Sequence, residues 1–254
     1  MSTKSKIALV TGGSRGLGRD MVLNLAKKGN NIIFTYHSNK VEADKVISEV
    51  IALGQKAIAY QLDTSKINTF DAFIQQVNQH LQEHEGSPNF DFLINNAGTG
   101  IYGSIFETTE EAFDTMMNIH FKGVYFLTQK LLPYLNNGGR IINISSGLTR
   151  VTFPNVSAYA SMKGAIETYT KCLAKELGAR QITANVIAPG AIATDFGGGS
   201  NKSDDNKRNA IAYMTALGRV GEPEDIGGVV ALLCAPEAGW MNGQRIELSG
   251  GMLV

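Results

Sequence analysis

Lys6-Ile-Ala-Leu-Val-Thr11 running into Gly12-Gly-Ser-Arg-Gly16-Leu-Gly18 is a short apolar run that ends in spaced glycines. Residues 17–28 behind it read as a helix. In a strand, glycine turn and helix taken in that order, glycine lets the backbone approach a ligand closely, and the first N–H groups of the helix can hold a pyrophosphate. The spacing, with three residues between Gly12 and Gly16, is a variant of the common dinucleotide fingerprint. Taken alone, the segment also fits a structural turn that binds nothing.

Outward from this turn, apolar runs at residues 7–10, 32–36, 57–60, 92–94, 141–144, 183–188 and 245–248 alternate with stretches of helical periodicity. Ile- and Val-rich runs of this kind are buried on both faces. The pattern predicts an α/β fold of the Rossmann type, a doubly wound parallel sheet of seven strands covered by helices on both sides. Right-handed crossovers then gather the strands' carboxyl ends at one edge, where ligands bind.

The chain has 254 residues, 43% hydrophobic and 18% charged, which suits one dinucleotide-binding catalytic domain over residues 1–254. Lys plus Arg and Asp plus Glu both number 23, so no cationic surplus recommends nucleic acid or an anionic membrane as partner. Cys172 and Cys234 lie in apparent helices and fit reduced thiols; neither has metal-ligand spacing, and no metal is expected. The first apolar run is too short for a signal segment, so a cytoplasmic protein is expected. Residues 197–206, three glycines among polar residues, read as irregular and mobile, and a flexible substrate loop is expected around residues 194–216.

Ser157-Ala-Tyr-Ala-Ser-Met-Lys163 reads as a helix, which puts Tyr159 and Lys163 on one face, four residues apart. An ammonium beside a phenol favours phenolate. Lowering a tyrosine pKa from near 10 by ~3 units requires ~4 kcal/mol, which a close cation in a partly desolvated site can supply. Ser146 falls at the end of the fifth strand, where a hydroxyl can hydrogen-bond a substrate carbonyl. By itself a Tyr-x-x-x-Lys pair also fits a solvated helix face; joined to the nucleotide turn and the serine, it reads as catalytic.

With Asp63 after the third strand, Asn95-Asn-Ala-Gly98, and Pro189-Gly190, these motifs make the whole chain resemble the short-chain dehydrogenases/reductases of the compact type. The resemblance implies a nicotinamide dinucleotide cofactor, Tyr159 as acid or base, Lys163 contacting the nicotinamide ribose and lowering the tyrosine's pKa, and Ser146 orienting the carbonyl. It assigns cofactor contacts to Gly12, Ser14, Arg15, Gly16, Leu17, Gly18, Asp63, Thr64, Asn95, Ala97, Gly98, Pro189, Gly190, Ile192 and Thr194, besides Tyr159 and Lys163. Asp63 would meet adenine, and Asn95, Ala97 and Gly98 would line the adenosine ribose; Asn96 and Gly98 equally fit a purely turn-shaping role. It also implies a homotetramer packed through the carboxyl-terminal edge.

One position departs from the pattern. The family's fourth catalytic residue is an asparagine, and Asn118-Ile-His120-Phe-Lys-Gly123 puts His120 in its place, with Asn118 turned away by roughly 200° on a regular helix. His120 is expected to take over the water contact that links the lysine to solvent, or else to be a packed histidine with that relay lost.

The second strand ends in Tyr36-His37-Ser38-Asn39-Lys40, without the acidic residue that would hold a free ribose hydroxyl and repel a phosphate. His37, Ser38 and Arg15 therefore point to NADP(H) over NAD(H), Arg15 by the fork its guanidinium offers a phosphate, unless it is simply a solvated loop cation. Leu148, Phe153, Phe196 and Tyr102 are candidate substrate walls. A hydride transfer between nicotinamide and a carbonyl or alcohol carbon of a small molecule is the leading reading. A 3-oxoacyl-[acyl-carrier-protein] reductase is the second, weakened by Leu135-Asn-Asn-Gly-Gly-Arg140, where such enzymes carry a basic cluster. An NADP(H)-binding regulatory protein with little catalysis is the third.

Overall fold

Successive side chains of β1 (Ile7–Val10) go to opposite faces, and all four are buried, Ile7 and Leu9 on one side and Ala8 and Val10 on the other. A strand apolar on both faces must be covered twice. The computed structural model, which describes residues 5–254, supplies the cover: α1 (Gly16–Lys27), β2 (Asn31–Tyr36), α2 (Lys40–Ala52), β3 (Ala57–Gln61), α3 (Phe70–Glu85), β4 (Phe90–Asn95), α4 (Glu110–Met117), α5 (Gly123–Leu131), β5 (Leu135–Ile144), α6 (Ser157–Glu176), β6 (Thr183–Pro189), α7 (Ser200–Ser203), α8 (Asp205–Tyr213), α9 (Glu224–Leu233) and β7 (Arg245–Leu248).

The strands form one parallel sheet in the order β3-β2-β1-β4-β5-β6-β7. On one face Met21 and Leu25 of α1, Val46 of α2 and Val230 of α9 pack on Val10, Phe34 and Ile94; on the other, Phe73 and Val77 of α3, Leu127 of α5 and Leu173 of α6 pack on Leu9, Ile33 and Leu93. After β3 the chain returns past β1 to start β4. The loops that follow β1 and β4 therefore diverge and open a crevice at the strands' carboxyl ends.

Two segments differ from expectation. β5 begins at Leu135, not at residue 141: Leu135 pairs with Phe90, the register slips before Phe92, and Arg180 holds the polar start through the carbonyls of Leu132 and Leu135. The polar stretch 135–140 is thus part of the strand itself. Residues 197–206 are largely ordered into helix; only Gly197, Gly198 and Gly199 keep left-handed backbone, and Asp204 caps α8 by accepting from Lys207 N at 3.1 Å.

Candidate active site

The glycine turn is fixed by its neighbours rather than by itself. Gly12 N donates to Thr35 Oγ1 (3.0 Å) and Gly13 N to Thr35 O (2.8 Å) on β2, while Asn96 Nδ2 donates to the carbonyls of Thr11 (2.9 Å) and Gly12 (3.2 Å). Gly12 has a φ of +67°, and a Cβ on Gly18 would lie 2.0 Å from Gly12 O, so the first turn of α1 can only approach the loop as glycine. The first turn of α1 carries no acidic residue; Arg15, at its cap, is exposed and its guanidinium makes no hydrogen bond or ion pair among the described residues. Glycine cradle, helix N-terminus and unpaired cation together fit a dinucleotide carrying an additional phosphate.

The turn forms one end of a cleft of about 500 Å³, lined also by Thr35, Tyr36, His37, Asp63, Thr64, Ala97, Gly98, His120, Ser146, Tyr159, Lys163, Pro189, Gly190, Ile192, Thr194 and Phe196. Gly12, Ser14, Gly16, Leu17 and Gly18 share it. At its β2 edge stands no carboxylate except Asp63. Burial pushes the Asp63 carboxyl up, but hydrogen bonds from Ser65 Oγ (2.7 Å) and Ser65 N (3.0 Å), with His37 and Lys66 nearby, hold it below the usual aspartate value.

Several expected residues lie elsewhere. Asn95 turns into the protein, donating to Thr128 Oγ1 (3.0 Å) and Asn143 Oδ1 (2.8 Å), because at the end of β4 its side chain falls on the face packed by α5; Asn96 faces the cleft instead. Ser38 and Phe153 do not line the cleft, nor does Leu148, which packs with Met116, Tyr159 and Met162. Phe196 does reach it, and with Tyr102 it flanks Tyr159, ring centroids 5.8 and 6.4 Å apart. Thr99, Gly100 and Ile119, unremarkable in sequence, also line the cleft, as do Asp195, Gly197 and Gly198 of the expected substrate loop.

At the other end α6 presents Tyr159 and Lys163, both buried. Lys163 Nζ donates to Ile144 O (2.7 Å) and lies 5.6 Å from the Tyr159 ring centre. Burial brings the lysine down to about 7. The phenol moves the opposite way from expectation: burial and the neighbouring Tyr102 push it up, and a hydrogen bond with Ser146 pulls it only partly back. The lysine that was expected to draw the phenol down instead donates to Ile144 O and is itself lowered by burial, which leaves desolvation of the phenol dominant.

His120 lies in a π-turn, Asn118–Lys122, between α4 and α5, so the regular-helix angle to Asn118 does not apply. Its ring stands edge-on to Tyr159, centroids 5.1 Å apart. Nε2 is 2.6 Å from Thr99 O and 3.4 Å from Thr99 N; a carbonyl can only accept, so the shorter contact fixes the proton on Nε2. Nδ1 is then a lone-pair acceptor, buried and without a partner. Burial, then the Lys163 charge, lower the imidazole to about 3 despite the Thr99 bond.

Residues 12–253 match the family model described as enoyl-(acyl carrier protein) reductase. The tetrahydroxynaphthalene reductase PfmaG of Pestalotiopsis fici is 36% identical over 97% of this chain and 91% of its own. The chain belongs to the short-chain dehydrogenase/reductase family. Solved members superpose closely. LugOII, a promiscuous reductase that catalyses a C1 keto-reduction in lugdunomycin biosynthesis, matches with a TM-score of 0.93 at 35% identity over 98% of both chains. The landomycin C-6 ketoreductase LanV, with bound NADP and rabelomycin, matches with a TM-score of 0.89 at 35% identity over 98% of this chain and 96% of that one.

Proposed function

We propose that this protein is an NADP(H)-dependent ketoreductase acting on planar, fused-ring carbonyl compounds. The observation that carries the reading is the convergence of Ser146, Tyr159 and Lys163 at one end of a cleft whose other end offers a glycine cradle, an unpaired Arg15 and a β2 edge with no acid of its own. When bound, the nicotinamide supplies or takes up the hydride. Ser146 and the Tyr159 hydroxyl hydrogen-bond the substrate oxygen, and Tyr159 passes its proton to that oxygen as the carbonyl carbon is reduced. Its raised pKa keeps the phenol protonated beforehand, which suits the reductive direction. Tyr102 and Phe196 frame Tyr159 with aromatic surface, and aromatic pairs add about 1 kcal/mol beyond area burial. The tetrahydroxynaphthalene in the name of PfmaG and the rabelomycin bound to LanV support the same class.

Phe196, Gly197 and Gly198 line the cleft at the start of the 194–216 segment, and left-handed glycines at 197–199 make it the part able to close over substrate. The protein is a cytoplasmic homotetramer in this reading, supported by two unpaired cysteines and by exposed Trp240, Leu232 and Val254.

NADPH oxidation, with NADH in parallel, against hydroxynaphthalenones, simple ketones, an enoyl thioester and a β-ketoacyl thioester tests the proposal. The fused-ring ketones turn over fastest, NADPH is preferred, and Tyr159→Phe loses on the order of 10³-fold in kcat. Preference for either thioester or for NADH overturns it; tight NADPH binding without turnover would indicate a regulatory protein.

A further inference from the structure

Ser146 is held from behind. Its carbonyl accepts from Arg245 Nη2 (3.3 Å), and the turn that follows it, residues 147–149, is tied to the same guanidinium through Thr149 Oγ1 (3.0 Å). Arg245 sits on β7, the edge strand, and its Nε donates to Glu167 Oε1 (2.8 Å) on α6. That one carboxylate oxygen also receives Ser145 Oγ (2.8 Å) and Thr149 Oγ1 (2.6 Å), so residues on both sides of Ser146 converge on it. Tyr159, Lys163 and Glu167 recur every four residues along α6, on one face. Glu247 extends the cluster, accepting from Arg245 Nη1 (2.9 Å) and from Arg150 (2.7 Å).

We propose that Arg245 and Glu167 are positioning residues for Ser146, forming a clamp that ties the catalytic serine to the helix carrying Tyr159 and Lys163. The proposal rests on the ketoreductase reading above, in which Ser146 Oγ must meet the same substrate oxygen as the phenol. Nothing on the solvent side of Ser146 does this work: Ser146 Oγ accepts only Leu148 N (3.2 Å) besides its bond to Tyr159, and Leu148 belongs to the very turn that the clamp holds. Without the guanidinium, Ser146 O keeps only contacts from Thr149, within that same turn. A serine displaced by a fraction of an ångström loses its alignment with the phenol while the cleft that holds the cofactor is unchanged, so the effect falls on kcat and not on binding. Beside the clamp, hydrogen bonding from Arg150 draws the Glu247 carboxyl down to about 2 against the opposing effect of burial.

A double-mutant cycle tests it: Arg245→Met and Arg245→Lys, each alone and with Ser146→Ala, read as kcat, KM and NADPH affinity. Arg245→Lys keeps a cation opposite Glu167 but cannot also span to Ser146 and Thr149, and it serves alone should Arg245→Met not fold. Either change lowers kcat about tenfold with KM and NADPH affinity within about twofold of wild type, and has no further effect once Ser146 is alanine. Glu167→Gln, which keeps an acceptor for Ser145 and Thr149, retains more activity than Glu167→Ala. Equal losses from Arg245 substitution in both backgrounds, or full kcat in the Arg245 variants, overturn the clamp; a wild-type protein that reduces no ketone overturns the underlying reading instead.

Discussion

His120, 1% exposed with its proton committed to Thr99 O, can only accept at its buried, unpartnered Nδ1. A relay through it would therefore end at a backbone carbonyl, and the pH profile of turnover between about pH 5 and 9 should be unchanged in His120→Asn, because a group held near 3 is neutral throughout. Stability behaves otherwise. The unfolded chain takes up this proton below the ordinary value of 6.5 and the folded one not until about 3, so folding free energy falls as pH drops through that window. Denaturant unfolding should show the wild type losing roughly 3 kcal/mol relative to His120→Asn between pH 7 and pH 4. A parallel pair of stability curves would mean that the imidazole ionises freely in the folded protein.

At the scale of elements, what matters is how closely α1 approaches the loop before it. Gly18→Ala places a methyl 2.0 Å from Gly12 O and 2.6 Å from Asn96 Nδ2, so α1 must move away from the β4 loop. It should cost about 1–3 kcal/mol in unfolding free energy and weaken NADPH binding, since the same movement splays the cradle. Gly228→Ala on α9 meets no atom within 4 Å and, in an exposed helix interior, should stabilise by roughly 1 kcal/mol, which controls for glycine replacement as such. Elements were legible where one period ran unbroken: every strand but β5 stands within two residues of where alternation placed it, and α6 begins at Ser157, where its helical spacing starts. They were not legible where polarity interrupts the pattern. Leu135–Arg140 reads as a loop until Phe90 is seen to pair with Leu135, and residues 205–213 become helix behind a cap at Asp204 that composition does not reveal.

For the whole molecule, the last quarter of the sequence carries several exposed apolar residues, among them Trp240, 99% exposed, and Leu232. Light scattering should return the mass of four chains, and Trp240→Glu combined with Leu232→Glu should reduce it to two, since burying a carboxylate in an apolar contact is costly; a monomeric wild type would remove the tetramer reading. The sequence by itself determined the layered parallel sheet, the cradle and the pairing of Tyr159 with Lys163, because strand alternation, glycine geometry and helical spacing act between residues close in the chain. Only the tertiary structure decided that Asn95 turns inward while Asn96 faces the cleft, that the buried phenol holds its proton, and that Arg245 reaches Ser146. Those outcomes depend on burial and on partners far apart in sequence, and neither is written in local order.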